Sequence, residues 1–548
     1  MGLETTRDSI ESDRIHADSR FAPGWVGLCG VRSQLFLCPV SLGGPVRRGG
    51  IRSAYATSIL GLASGLLTNI WFLRVLTQFV AKEEFGIYAY VLQFASYLAL
   101  AQLGMDFAAS RQIAVSLGSG DEQEAARTYR ALRWFNVRAA GIAALVVTAL
   151  VVWLALRKPA PTLGSFLVPV VAALAGCSQV IVFLERPLTS VLIGSRNQVS
   201  VNVLIVGRTI LTTFLAYGLL LRGWGIYSIG VAELFTHLGM WRLLQSAASR
   251  LCSWHRSVRG GRGVTEGLRA LASYGLASSL GGAAWTLEST VDVVILGWLR
   301  GPAEVAGYVL WWRFPMLIFS FCTRLTESAF PYFAELHGKE IAQSRRVIEK
   351  VGVVSAGLGT LAMVGIGLWL PAFVRIWLGA AYSLPHPRFV ALGMGLLVMS
   401  RVAGNFVGMF TLARGEAVTS AWVSWAQAIV KVILAVLLGL KYGLLGIIYA
   451  SVLASGLQWA VLGVRLFRLG ILPGVLVVRA TILGGGALAM VIGLGSANMD
   501  KVGFAGLGLG IMGTAAIWAG IWLGVVIGLA GLKTVLGLVK GGVGWRSF

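Results

Sequence analysis

Residues 56–86, ATSILGLASGLLTNIWFLRVLTQFVAKEEFG, return at residues 277–307 as ASSLGGAAWTLESTVDVVILGWLRGPAEVAG. At a constant spacing of 221 residues, Ala56 falls on Ala277, Ser58 on Ser279, Gly61 on Gly282, Ala63 on Ala284, Leu66 on Leu287, Glu83 on Glu304 and Gly86 on Gly307. The same ungapped spacing carries Asp106 to Glu327, Gly194 to Gly415 and Gly225 to Gly446. A register held over about 170 residues marks an internal duplication, the feature to settle before any local reading.

The solvent of this repeat follows from composition. The 548 residues are 56% hydrophobic and 13% charged, about half the charged share of a soluble domain. Fourteen apolar segments recur, at roughly 53–74, 85–105, 134–156, 163–193, 199–221, 225–244, 271–299, 305–329, 351–373, 389–412, 418–440, 443–464, 475–495 and 503–530. Each is near the ~20 residues that a helix needs to cross the hydrocarbon layer. Helices satisfy their own backbone in lipid, so the expected fold is an all-α polytopic membrane bundle. The repeat covers six spans per half. An even number inserts both halves in the same orientation, related by an axis along the membrane normal, as in transporters built of parallel repeats. Two six-helix bundles around a central cavity, plus two C-terminal helices, are the predicted architecture, with alternating access as its mechanism.

The net charge of +23 then reads as topology rather than nucleic-acid binding. With the N-terminus inside, 25 Lys and Arg residues fall in cytoplasmic gaps and 8 in outer ones, the pattern of a multi-pass protein with both termini cytoplasmic. The predicted organisation is a disordered tail at 1–50, a first bundle at 51–250 and a basic linker at 251–270. A second bundle at 271–470, two further helices at 471–530 and a tail at 531–548 complete it. Residues 1–50 lack the unbroken apolar core and positive start of a secretory signal, and a translation start near Val46 is an alternative. The five cysteines and five histidines make no metal spacing, and no nucleotide-binding or hydrolase motif is present. No cofactor, metal or catalytic residue is expected.

Charges within spans are costly and therefore functional candidates. Arg313 and Arg324 are eleven residues apart on the eighth segment and share a face, while Arg208, Arg401 and Lys431 fall in the fifth, tenth and eleventh. Together these five cations are the expected lining of a positive cavity suited to an anionic ligand. For Arg401 and Arg324, snorkelling to an interface is the competing reading. Among the acids, Glu288 and Asp292 share a face at i and i+4, and Asp106 and Glu327 hold equivalent repeat positions. Ion pairing or ion coupling is the role expected of these four. Glu233 and His237, again four apart, are either a protonatable pair or, the reading preferred, a satisfied polar contact. Pro187, Pro315 and Pro371 suggest kinks, and Trp311, Trp312, Trp422 and Trp425 are either sugar-stacking or interfacial residues.

The stretch LTNIWFLRVLTQFVAKEEFGIYAYVLQFASYLALAQLGMDFAASRQIA, residues 67–114, resembles the opening helices of bacterial polysaccharide flippases. The matching positions are Arg74, Leu76, Glu84, Phe85, Gly86, Tyr88, Leu103, Gly104, Asp106 and Arg111. In the second half Asp292, Gly297, Gly301, Pro302, Val305, Gly307 and Tyr308 repeat the pattern, and Phe330 with Pro331 resembles the family's "FP" motif. The resemblance covers about residues 53–470. It implies the multidrug/oligosaccharidyl-lipid/polysaccharide exporter fold in the cytoplasmic (inner) membrane. The implied activity is flipping of a polyprenyl-pyrophosphate-linked oligosaccharide, a unit of O-antigen, capsule or exopolysaccharide. Its partners would be that anionic lipid-linked oligosaccharide, the bilayer, a polysaccharide polymerase and glycosyltransferases, with no nucleic acid. A cation-coupled multidrug extruder of the same fold, a membrane glycan polymerase or ligase, and a lipid II flippase are the alternatives. Against the extruder stands the first segment, which offers Asn69 and no carboxylate.

Overall fold

The computed structural model describes residues 48–102, 105–156, 167–252, 264–335, 341–414, 416–472, 474–494 and 504–530. The expected tails and most of the basic linker lie outside the described residues, as do the side chains of Arg324, Glu327, Phe330 and Pro331. Among the described residues the fold is all helical. The first half runs α1 (Arg48–Phe79), α2 (Lys82–Tyr97), α3 (Met105–Gly118), α4 (Glu122–Leu156), α5 (Leu167–Gly194), α6 (Gln198–Leu221) and α7 (Tyr227–Leu251). The second runs α8 (Val264–Arg300), α9 (Pro302–Glu335), α10 (Ile341–Leu378), α11 (Pro387–Ala413), α12 (Ala417–Tyr442) and α13 (Leu444–Arg468), followed by α14 (Gly474–Leu494) and α15 (Phe504–Ala530). Eight of these helices are long and apolar enough to cross a membrane, so the chain is a multi-pass membrane protein.

Helix boundaries follow the sequence duplication. Displaced by the repeat spacing, α1 falls on α8, α2 on α9, α4 on α10, α5 on α11, α6 on α12 and α7 on α13. The same helices also pack in the same pairs: α4 on α5, α5 on α7 and α1 on α6 correspond to α10 on α11, α11 on α13 and α8 on α12. One span differs between halves. In the first, α2 ends at Tyr97, a 3-10 turn covers Leu98–Gln102, and α3 starts at Met105, whereas α9 continues unbroken to Glu335. The helix α8 starts at Val264, within the stretch read as linker. Helices α5, α9 and α10 run on through Pro187, Pro315 and Pro371.

The two halves meet at both ends of their helices. At the end bearing the α1–α2 and α8–α9 turns, one apolar cluster joins Leu73, Leu76, Phe85 and Tyr88 of the first half to Ala306, Leu310, Trp377 and Tyr382 of the second. Backbone meets backbone there: a Cβ on Gly86 would run into the Pro302 carbonyl oxygen. Trp377 Nε1 also donates to the Ile70 carbonyl at 3.0 Å. At the opposite end, Leu271 of α8 is buried among Met105, Ala108, Ala131 and Leu132 of α3 and α4. The last two helices dock on α10: Arg479 pairs with Glu349 at 2.6 Å, and Trp369 Nε1 donates to Thr514 Oγ1 at 3.1 Å.

Candidate functional site

The second bundle holds four ionised groups in one buried cluster. Glu288 and Asp292 project from one face of α8 because they are one turn apart. Arg401 comes from the middle of α11 and Lys431 from the middle of α12. Arg401 Nη2 donates to Glu288 Oε1 at 2.6 Å, and its guanidinium sits 5.2 Å from the Trp312 ring centroid and 5.8 Å from that of Trp285. Lys431, fully buried at 0% exposure, donates to Asp292 Oδ2 at 2.9 Å and to Glu288 Oε1 at 3.4 Å. A third bond goes to the Glu288 main-chain carbonyl. Asp292 accepts two further bonds, from the Tyr308 hydroxyl at 3.0 Å and the Ser451 hydroxyl at 3.0 Å. Two positive and two negative charges thus balance in a space from which water is excluded, where an unmatched charge costs several kcal/mol.

The first bundle holds a smaller chain of polar groups from three helices. His237 Nδ1 on α7 lies 2.9 Å from Glu185 Oε1 on α5, and His237 Nε2 lies 2.8 Å from Arg208 Nη1 on α6. The same Arg208 Nη1 is also 3.4 Å from His237 Nδ1, so the guanidinium stands against the ring while Glu185 meets it at Nδ1. Arg208 also lies beside a threonine pair, Thr212 and Thr236, whose hydroxyls are 2.8 Å apart. The partner of His237 is therefore Glu185 rather than Glu233. A side chain one turn along the same helix is always near, but here the convergence of α5 and α7 brings Glu185 Oε1 to 2.9 Å from the ring.

The remaining predicted positions are dispersed. Asp106 is buried at the start of α3, where Asn136 Nδ2 reaches its Oδ1 at 3.4 Å and the Ser190 hydroxyl donates to its main-chain carbonyl at 3.0 Å. Arg313 is half-buried on α9. It follows Ala306 and Leu310 by seven and three residues, and those two pack in the apolar cluster shared with the first half. Helical periodicity puts Arg313 on that same face, the next turn inward from the seal between the halves. Trp311 is buried and donates to the Tyr382 carbonyl at 2.9 Å, whereas Trp422 is 72% exposed, as suits a lipid-facing residue. The structure thus joins Glu288, Asp292, Arg401 and Lys431 in one cluster and places Arg208 with His237 in the first bundle.

This arrangement of helices has known counterparts. A structure titled "Lipid II flippase MurJ, inward closed conformation" superposes with a TM-score of 0.60 at 13% identity, covering 87% of this chain and 98% of the other. The eukaryotic MATE transporter AtDTX14 gives 0.54 at 16% identity, covering 81% and 100%. A transporter of the MOP superfamily from Pyrococcus furiosus gives 0.51 at 14% identity, covering 78% and 96%. These similarities establish the fold. No curated protein matches the sequence significantly. Residues 51–337, more than half of the chain and including the whole first bundle, match the family model described as "Polysaccharide biosynthesis protein". This multi-pass membrane protein therefore belongs to the polysaccharide biosynthesis protein family.

Proposed function

We propose that the protein flips a polyprenyl-pyrophosphate-linked oligosaccharide across the cytoplasmic membrane by alternating access between its two bundles. The observation that carries this reading is the family match over residues 51–337 on a transporter's fold. A polysaccharide-assembly protein with such a fold moves a glycan precursor, and such precursors travel on lipid pyrophosphates. Cations in spans suit that cargo, since phosphate oxygens accept charge-assisted bonds from guanidinium groups. Arg313, on the face of α9 toward the first half, and Arg208 are the residues proposed to meet the pyrophosphate. Arg401 and Lys431 act at one remove, by holding α8, α11 and α12 together around Glu288 and Asp292; Asp106 is given a structural role at the start of α3. The charge bias of the loops supports a topology with both termini in the cytoplasm.

The test is flipping of a fluorescent polyprenyl-pyrophosphate oligosaccharide in proteoliposomes. Wild-type protein is expected to move it and Arg313→Ala to slow it at least tenfold with normal insertion, about the effect of losing one charged hydrogen bond. Wild-type protein that leaves the lipid-linked glycan in its original leaflet, yet extrudes organic cations, would replace this reading with multidrug transport. The absence of Asp and Glu from α1 favours the flippase.

A further inference from the structure

We propose that Trp134 and Arg138 of α4 form a binding site for the headgroup of an anionic phospholipid on the outer face of the first bundle. Both residues are exposed, one turn apart, and the Arg138 guanidinium carbon lies 3.4 Å from the Trp134 ring centroid. That spacing is contact between stacked planes, so the guanidinium lies flat on the indole. Its N–H bonds then run parallel to the ring and past its edge, where phosphate oxygens can accept them. The other cations at this end of α4 already have polar partners. Arg127 pairs with Glu124 at 2.9 Å, Arg130 Nε donates to the Ala126 carbonyl at 3.4 Å, and Arg133 bonds the Tyr129 hydroxyl. Among the described residues Arg138 makes no hydrogen bond or ion pair; its contact is the indole.

The depth of the pair fits a lipid phosphate. From Ile142 through Leu145, Leu150 and Val152 to Leu156 the exposed face of α4 is apolar, and the Thr148 hydroxyl on it is bonded to the Ala144 carbonyl at 2.8 Å. From Arg138 to Leu156 the helix rises about 27 Å, close to the ~30 Å of a hydrocarbon layer. With Leu156 at one boundary, Arg138 stands at the other. Helical side chains lean toward the N-terminus, which carries the guanidinium outward to the phosphates, and tryptophan favours the same level. On the bilayer side of the pair Gly141 is exposed, and a Cβ there would meet nothing within 4 Å. That leaves room beside the helix for the first carbons of an acyl chain. A net negative headgroup suits the site because a zwitterionic lipid brings its own ammonium, which Arg138 repels. In the proposed topology the leaflet concerned is the cytoplasmic one. Through Ala131 and Leu132 the same stretch of α4 receives Leu271 of α8, so a bound lipid braces the helix against which the second half closes.

The test reads lipid preference at the site itself. Full-length protein carrying a bimane label at Val137→Cys, an exposed neighbour of the pair, is placed in phosphatidylcholine nanodiscs and quenched by doxyl-labelled phosphatidylglycerol or doxyl-labelled phosphatidylcholine. The ratio of the two quenching efficiencies gives the local preference. With Trp134 and Arg138 intact, phosphatidylglycerol should be favoured about fivefold or more, the factor for a charge-assisted hydrogen bond. Arg138→Ala should bring the ratio close to one. Arg138→Lys keeps the charge but loses the planar stack, and Trp134→Ala keeps the charge but loses the shelf; both should give intermediate ratios. Arg127→Ala removes a cation already paired with Glu124 and should leave the ratio unchanged. A ratio near one with the pair intact, a ratio that Arg138→Ala does not lower, or equal losses in Arg127→Ala and Arg138→Ala, the mark of diffuse surface charge, each overturns the proposal. A label shielded from both lipids would place a second copy of the chain on this face and overturn it as well. None of these outcomes depends on which cargo the protein moves.

Discussion

Removing the Lys431 ammonium should destabilise the second bundle more than any other single change at its polar cluster, and removing the Asp292 charge with it should restore much of the loss. Lys431 is completely buried and holds three acceptors, Asp292 Oδ2, Glu288 Oε1 and the Glu288 carbonyl. In Lys431→Met the volume is nearly kept, but Asp292 retains only the hydroxyls of Tyr308 and Ser451, and the cluster carries one unmatched negative charge. Breaking a buried pair from one side costs about 3–5 kcal/mol. When Lys431→Met is combined with Asp292→Asn, the charge is balanced again by Arg401 and Glu288, whose 2.6 Å contact is untouched, and the introduced amide oxygen would still accept from the two hydroxyls. Replacing a buried pair by neutral groups is often near neutral in stability, so the double variant should recover about 2 kcal/mol or more of the loss. Unfolding free energies from steric trapping in bicelles, completed with Asp292→Asn alone, give the coupling directly. A Lys431→Met variant within about 0.5 kcal/mol of wild type, or a double variant no more stable than the singles predict by addition, would refute the claim that these four charges form one unit.

Gly86→Ala places a Cβ where the Pro302 carbonyl stands. It should hold α2 and α9 apart at that end, raising maleimide labelling of Thr77→Cys several-fold and stopping transport in a folded protein; unchanged labelling counts against the seal. At the equivalent Gly307 the obstacle is the mobile end of the Leu384 side chain, 2.6 Å from an added Cβ, so Gly307→Ala should be milder in the same assay. Trp377→Phe deletes the hydrogen bond to the Ile70 carbonyl, worth about 1 kcal/mol, and should raise that labelling about fivefold. A reporter fused at residue 260 should read cytoplasmic, and a periplasmic signal there would reverse the orientation.

How much of this was legible in sequence depends on how far apart the interacting residues lie. Spans and duplication were readable because hydropathy and the repeat spacing are properties of the chain itself, and helix ends follow both. The break after Tyr97 was not, since Leu98–Gln102 is as apolar as its surroundings. Glu288 and Asp292 were recognisable as partners in waiting from their shared helical face. Their actual partners, Arg401 and Lys431, lie more than a hundred residues on and belong to other helices, so the same two cations read equally well as cavity lining. His237 shows the opposite error: a local partner, Glu233, drew attention from Glu185, fifty-two residues distant. Glu185 itself carried a signal, being an ionised residue inside the fourth apolar segment.

The duplication makes the difference between the halves informative. Arg208 corresponds by the repeat to Ile429, two residues from Lys431, so equivalent helices place a cation at nearly the same depth in both bundles. What surrounds that cation differs. Around Lys431 the acceptors are carboxylates and a main-chain carbonyl, all ready-made, and the ammonium is inaccessible, so exchanging partners would expose a charge to a dry interior. Around Arg208 one neighbour is an imidazole that also meets Glu185, and the arginine is half-buried. An alternating-access cycle needs one body that keeps its shape while contacts at the two ends are exchanged, and a site whose affinity changes. The charge-locked second bundle is suited to the first role, its four charges being paired across α8, α11 and α12.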